Sequence, residues 1–117
     1  MRASLRQQLR DFAFGLPDAW EDHPWGESVA KVGKKVFVFF GADADDDPTD
    51  GPVHLSVKLP ESQDEALSLP FTEPTGYGLD RGGWVTVHAP ADWPPEMLMD
   101  WIAESYGAVA PKAKRRR

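Results

Sequence analysis

Histidines, carboxylates and hydroxyls decide what chemistry a chain can do, and here they stand without a reactive pattern. The three histidines, His23, His54 and His88, show neither HxH nor HxxxH spacing. His54 and His88 fall on one face of two expected strands, which would allow a metal pair, but ordinary surface histidines explain them more simply. Asp43, Asp45 and Asp47 have the alternate spacing of a calcium loop. Such a loop needs Gly at its sixth position and Glu at its twelfth, where this chain has Pro48 and His54. A solvated acidic loop is the better account. Ser4, Ser28, Ser56, Ser62, Ser68 and Ser105 lack a GxSxG context. Gly76-x-Gly78 and Gly82-Gly83 are turn glycines, with no strand–loop–helix unit to cradle a phosphate. Glu21, Asp22 and His23 form a polar cluster beside Trp20 and Trp25; polar tips on a helix-exit loop account for it without acid–base chemistry. There is no cysteine, which excludes disulfides, thiolate zinc sites and cysteine nucleophiles. These residues predict no enzyme, no cofactor and no metal.

Charge is more informative than reactive groups. The 117 residues carry a formal net charge of -6, but five of the 13 basic residues, Lys112, Lys114, Arg115, Arg116 and Arg117, crowd into the last six positions. The remaining eight face 19 acidic residues, so the body carries about −11. An acidic body repels nucleic acid unless its cations are gathered on one surface. Residues 28–40 do gather Lys31, Lys34 and Lys35 with no acid, whereas residues 41–52 hold Asp43, Asp45, Asp46, Asp47 and Asp50 with no cation. The terminal cations suit either a nucleic-acid-binding tail or a solvated charge run.

The elements that must position these groups follow from periodicity. Leu5, Leu9, Phe12 and Leu16 recur at helical spacing, with Ser4 as N-cap and Gln7 completing a capping box. Residues 18–27 read as a loop. Segments 29–32 and 36–40 are rich in β-formers, and Gly33-Lys34 fits the centre of a type II′ turn, so a hairpin lifts Lys34 and Lys35 as a small basic wing. Val53, Leu55, Val57 and Leu59 alternate with His54, Ser56 and Lys58, a half-buried strand. Residues 61–69 form a short helix and residues 70–83 a loop. Residues 84–88 are a strand, with Val85 and Val87 opposed to Trp84, Thr86 and His88. Leu98, Trp101, Ile102, Tyr106 and Val109 share one face of a last helix that starts near Asp92 and Pro94-Pro95 and ends at Gly107.

The order α-β-β-β-α-β-α predicts a single α+β domain over residues 1–111, an antiparallel sheet packed against helices. Residues 112–117 are expected to be a disordered basic tail. No run reaches the length of a membrane span and no leader is evident, so a cytoplasmic monomer is expected. Among the tryptophans, Trp101 is core, and Trp20, Trp25 and Trp93 cover core edges. Trp84 is either a stacking platform beside Arg81, Lys58 and the hairpin lysines, or packed on an aliphatic stem of Lys58 or Arg81. The two later helices carry Glu61, Asp64, Glu65, Glu96, Asp100 and Glu104 without a cation, which dismisses them as DNA-recognition helices.

From about Leu9 to Val109 the sequence resembles the MmcQ/YjbR group of small bacterial proteins. The likeness rests on Leu16-Pro17 with Glu21-Asp22-His23-Pro24-Trp25-Gly26, then Lys31-Val32-Gly33-Lys34-Lys35-Val36-Phe37 and Leu55-Ser56-Val57-Lys58. It continues through Pro74-x-x-Tyr77, Arg81 with Trp84 and Val87, and Trp101-Ile102-Ala103-Glu104-Ser105-Tyr106. The resemblance implies a double-wing, frataxin-like α+β fold and DNA binding, and it singles out Lys31, Lys34, Lys58, Arg81 and Trp84. Two departures stand out. Gly82-Gly83 replaces a polar or basic residue and His, and the insert at 43–50 adds negative charge near the basic wing.

The resulting expectation is a non-enzymatic module that binds DNA weakly, mainly through phosphates, using the hairpin with Lys35, then Lys58, Arg81 and the tail. A rival is a protein-interaction domain using an exposed sheet face around Trp84. A third is a small-ligand pocket between the sheet and the segment from Tyr77 to Trp84.

Overall fold

The computed structural model describes residues 4–23, 27–42, 53–76 and 79–110. Helix α1 (Leu5–Phe14) starts at Ser4, whose Oγ accepts the Gln7 backbone N–H at 3.1 Å. The expected capping box is only half formed, because the Gln7 side chain donates to Asp11 one turn on, at 2.7 Å. Strands β1 (Ala19–Asp22), β2 (Glu27–Val32), β3 (Lys35–Ala42) and β4 (Val53–Lys58) follow, then helix α2 (Gln63–Leu67), β5 (Thr72–Pro74), a 3-10 turn (Leu79–Gly82), β6 (Trp84–Ala89) and helix α3 (Pro95–Val109). The strands form one antiparallel sheet in the order β1-β2-β3-β4-β6-β5.

The α+β antiparallel architecture expected from sequence is present, with two more strands than expected, both at sheet edges. Strand β1 lies in the stretch read as a loop; Asp18 turns the chain into it at φ 61°, a left-handed conformation that Asp tolerates. Strand β5 is three residues long and ends in Pro74, which an edge accepts because no ladder donor is needed there. Neither segment has enough alternating residues to announce a strand. Helix α3 runs through Gly107 to Val109, and α2 is shorter than the 61–69 expected.

The hairpin turn is as predicted. Gly33 has φ 62°, Lys34 is not among the positive-φ residues, and Val32 pairs with Lys35, as a type II′ turn requires. Two register shifts between β2 and β3 then reshape the wing. Lys31 faces Val36 while Ala30 faces Val38, so Phe37 is an extra residue and the alternation resets. The consequence is that Phe37, Val38 and Phe40 are all fully buried.

One sheet face packs on α1 and α3. Leu9, Phe37, Phe40, Val57, Leu98, Ile102 and their neighbours form its core, with Phe37 edge-on to Tyr106 at 5.3 Å. Trp101 is in this core, as expected. Helix α2 has no side-chain cap, and α3 instead pins the chain that leads into it. Glu104 accepts from the backbone N–H of Glu61 and Ser62 and from the Ser62 hydroxyl at 2.9, 3.1 and 2.7 Å. Substituting Glu104→Ala should cost about 1–2 kcal/mol, the worth of hydrogen bonds to a charged acceptor at a partly exposed site. Hydrogen exchange at the amides of Glu61 and Ser62 should accelerate before any global unfolding; unchanged protection there would mean the contact is dispensable.

Among the described residues no helix is long and apolar enough to cross a membrane.

Candidate functional site

The strand directions place four of the eight cations of the body at one end of the sheet. Lys34 and Lys35 stand exposed at the β2–β3 turn. Lys58 is the last residue of β4, paired in register with Trp84 at the start of β6, and Arg81 is exposed in the 3-10 turn just before it. Lys34 and Lys35 also line a shallow groove of about 400 Å³ with Ala108, Val109 and Ala110. The chain therefore leaves α3 beside the hairpin tip, and the cationic residues 112–117, which lie outside the described residues, follow from there.

The acidic insert is attached at the other end. Residues 43–52 also lie outside the described residues, but the insert's anchors, Ala42 and Val53, do not. At the rise of an extended strand, about 3.3 Å per residue, Ala42 is about 23 Å along β3 from Lys35. The insert's anchors thus lie at the end of β3 away from the basic wing. An antiparallel β3–β4 pair must make its connection at the end opposite the β2–β3 turn.

Two of the singled-out residues are otherwise engaged. The Lys31 ammonium is 3.1 Å from Asp22 Oδ2 and 5.0 Å from the centre of the Trp20 ring, with its side chain only 20% exposed. That ammonium, with the His23 backbone N–H, holds the Asp22 carboxyl below its ordinary range. Trp84 is 8% exposed and packs edge-on against Phe39, ring centres 5.2 Å apart. Its ring is thus a packing element and presents no open face for stacking. The large apolar residues exposed among those described are Trp20, at 44%, and Leu79, at 37%. Trp20 was expected to cover a core edge; instead its indole N–H reaches across to the Gly33 carbonyl at 3.1 Å and steadies the hairpin turn. Trp93 does cover an edge, against Phe71 at 4.7 Å.

Gly83 explains part of the departure from the family pattern. It has φ 94°, and a Cβ there would lie 3.2 Å from the Leu59 carbonyl carbon and the Pro60 nitrogen. The backbone is pinned, since the Gly83 carbonyl accepts Leu59 N–H at 2.8 Å. Gly83→Ala should therefore cost about 2 kcal/mol or more, from left-handed strain plus the contact. At Gly82 a Cβ would meet only Trp84 Cδ1 at 3.8 Å, so Gly82→Ala should cost under about 1 kcal/mol. Equal thermal shifts for the two variants would refute this assignment.

The sheet face away from α1 and α3 carries a cleft of about 340 Å³, lined by Glu27, Phe39, His54, Ser56, Thr75, Leu79 and Thr86 among others. Two polar rows cross it. Ser56, Thr86 and Thr75 join hydroxyls at 2.9 and 2.9 Å. In the second row His54 Nδ1 is 2.6 Å from His88 Nδ1, and His88 Nε2 is 2.9 Å from Glu73 Oε2. The expected shared face of His54 and His88 is thus present as a directly opposed cross-strand pair. Among the described residues no group of three or more His, Cys, Asp or Glu side chains converges on a metal position.

On the helix side, the polar cluster at residues 21–23 is structural. Arg10 on α1 donates to Ser28 Oγ at 2.9 Å and to Glu21 Oε2 at 2.7 Å, and Ser28 donates to the same carboxylate oxygen at 2.6 Å. Burial alone would raise the Glu21 carboxyl; the hydrogen bonds from Ser28 and Arg10, with the charge of Arg10, outweigh it and hold the group below its ordinary value. An ionised carboxylate held in this way ties α1 to β1 and β2 and is a poor general acid. Sequence reading missed both Arg10 and Ser28, because their meeting joins segments 18 residues apart. Ser105 was also missed, although it falls on the apolar stripe of α3 and could have been found as a polar residue at a core position.

The YjbR family model matches residues 14–108, from the last residue of α1 to the last turn of α3. The chain belongs to the YjbR family. The solved structure of a Deinococcus radiodurans protein with a DUF419 domain is similar to it, at 30% identity and a TM-score of 0.71, over 93% of this chain and 83% of that one. A Pseudomonas syringae protein shares the fold at 22% identity and a TM-score of 0.60, over 86% of this chain and 94% of that one. No curated protein matches the chain. For this YjbR member the family and fold are thereby fixed, while the choice of ligand rests on its own surface.

Proposed function

We propose that this YjbR domain is a non-enzymatic binding module that meets duplex DNA weakly and without sequence selection, from the hairpin end. The observation that carries this reading is the polarity of the sheet. Lys34, Lys35, Lys58 and Arg81 gather at the end where the chain departs toward its cationic tail, while the acidic insert is anchored at the other end. Among the described residues none of these four side chains is held in an ion pair, so their charge is available to phosphates. Lys31 and Trp84 drop out of the footprint, the first neutralised by Asp22 and the second buried. Such a surface reads phosphates and no base edges, so affinity should fall steeply with salt.

The protein-partner reading has less support. A buried Trp84 adds little apolar area, and Trp20, on the edge strand β1, is not among the residues that line the cleft with Leu79. The test is a ¹H–¹⁵N titration with short duplex DNA at low and moderate salt, on the full chain and on a chain ending at Pro111. Salt-sensitive shifts at Lys34, Lys35, Lys58 and Arg81 that survive the truncation are expected. Shifts confined to residues 112–117, or none, would overturn the assignment of binding to the folded domain.

A further inference from the structure

We propose that His54 and His88 form a two-imidazole site for a late first-row divalent cation such as Zn²⁺, Ni²⁺ or Cu²⁺, opening onto the cleft of the free sheet face. The pair is directly opposed across β4 and β6, and the two Nδ1 atoms face each other at 2.6 Å. Such a contact needs one nitrogen protonated and the other bare. For a neutral His88 ring Glu73 decides which is which: its carboxylate accepts from His88 Nε2–H at 2.9 Å, which leaves Nδ1 as the unprotonated nitrogen. A carboxylate behind a histidine in this way is the arrangement that orients an imidazole toward a metal and raises its basicity.

Binding needs a small change. His54 moves its proton from Nδ1 to its own Nε2 by exchange through solvent, leaving two lone pairs converging. With metal–nitrogen bonds of about 2.0–2.1 Å at a tetrahedral angle, the nitrogens stand about 3.3 Å apart. Opening the pair by about 0.7 Å to that spacing asks only for ring rotation of exposed side chains at the sheet surface. Two nitrogen donors select borderline cations over calcium or magnesium, which want oxygen. The remaining positions fall to water or to a donor atom of a small molecule seated in the cleft, which His54 itself lines. The sequence alone predicts no metal here, because a cross-strand pair 34 residues apart has no local spacing to recognise.

The experiment is a zinc titration of the full chain followed by the imidazole carbon-bound proton signals, with His23 as the internal comparison. Signals of His54 and His88 should move together and saturate at one equivalent, while those of His23 stay put. His54→Ala and His88→Ala should each weaken binding at least about tenfold, and Glu73→Gln by about tenfold, the usual effect of losing an orienting partner. His54→Gln repeats the test should the alanine variant fold poorly. Zinc that leaves both imidazoles unmoved, or binds H54A and H88A as tightly as the parent, overturns the proposal.

Discussion

Replacing Ser105 with alanine should lower the stability of this domain by about 3 kcal/mol, although it removes a single oxygen. The Ser105 hydroxyl is fully buried and donates to the Phe37 carbonyl at 2.5 Å while accepting the Lys58 backbone N–H at 2.8 Å. Those two backbone groups belong to adjacent strands, β3 and β4, whose ladder among the described residues holds the pairs Val38–Val57 and Phe39–Ser56. The bulge at Phe37 turns the backbone out of register just where the next rung would form, and α3 fills the gap with a hydroxyl. Alanine would leave a buried donor and a buried acceptor unsatisfied, at about 1–3 kcal/mol each. Urea unfolding of S105A measures the loss. Ser68→Ala is the comparison: an exposed hydroxyl bonded one turn back, to the Glu65 carbonyl, should cost under about 0.5 kcal/mol. If the two serines cost the same, the bridge does not hold the sheet together.

The second large effect is expected at Arg10. Arg10→Met keeps an unbranched side chain against Phe14 and Phe40, over which the guanidinium lies at 5.1 and 5.4 Å, but removes the charge facing Glu21. With side chains only 13% and 29% exposed, this pair is sheltered enough for its breakage to leave a carboxylate short of compensation. Fully buried pairs cost about 3–5 kcal/mol to break from one side; partial exposure brings this one to about 2–3 kcal/mol at pH 7. The pH dependence identifies the cause. Glu21 is held below its ordinary value in the folded parent, so its contribution is present above the unfolded carboxylate range and is lost as the pH falls through the folded value. In R10M the same carboxyl becomes easier to protonate, and a protonated Glu21 is no longer an uncompensated charge. The gap between parent and variant should therefore narrow as pH falls from 7 toward 3. A gap that stays constant over this range would show that lost packing, and not the ion pair, causes the destabilisation.

The candidate interface was legible in part. Lys34 and Lys35 could be placed at a turn tip because Gly33 supplies the positive φ that a type II′ hairpin needs, a strictly local requirement. The alternation of Val53, Leu55 and Val57 with His54, Ser56 and Lys58 likewise put Lys58 on the free face. The fates of Lys31 and Trp84 were not legible. One depends on Asp22 in an edge strand too short to have a pattern, and the other on Phe39, whose outward direction is set by the bulge at Phe37.

Read alone, then, the sequence determined the α+β class, the hairpin, the faces of β4 and β6, the apolar stripe of α3 and the segregation of charge along the chain. All of these are written in periods of two or 3.6 residues or in the demands of single turns. Only the tertiary structure decided the two edge strands, the Arg10–Ser28–Glu21 tie, the Ser105 bridge and the opposition of His54 to His88. It also decided that the acidic insert departs from the end away from the basic one. Each of these depends on which strands become neighbours and in what register, and no local stretch of residues encodes that.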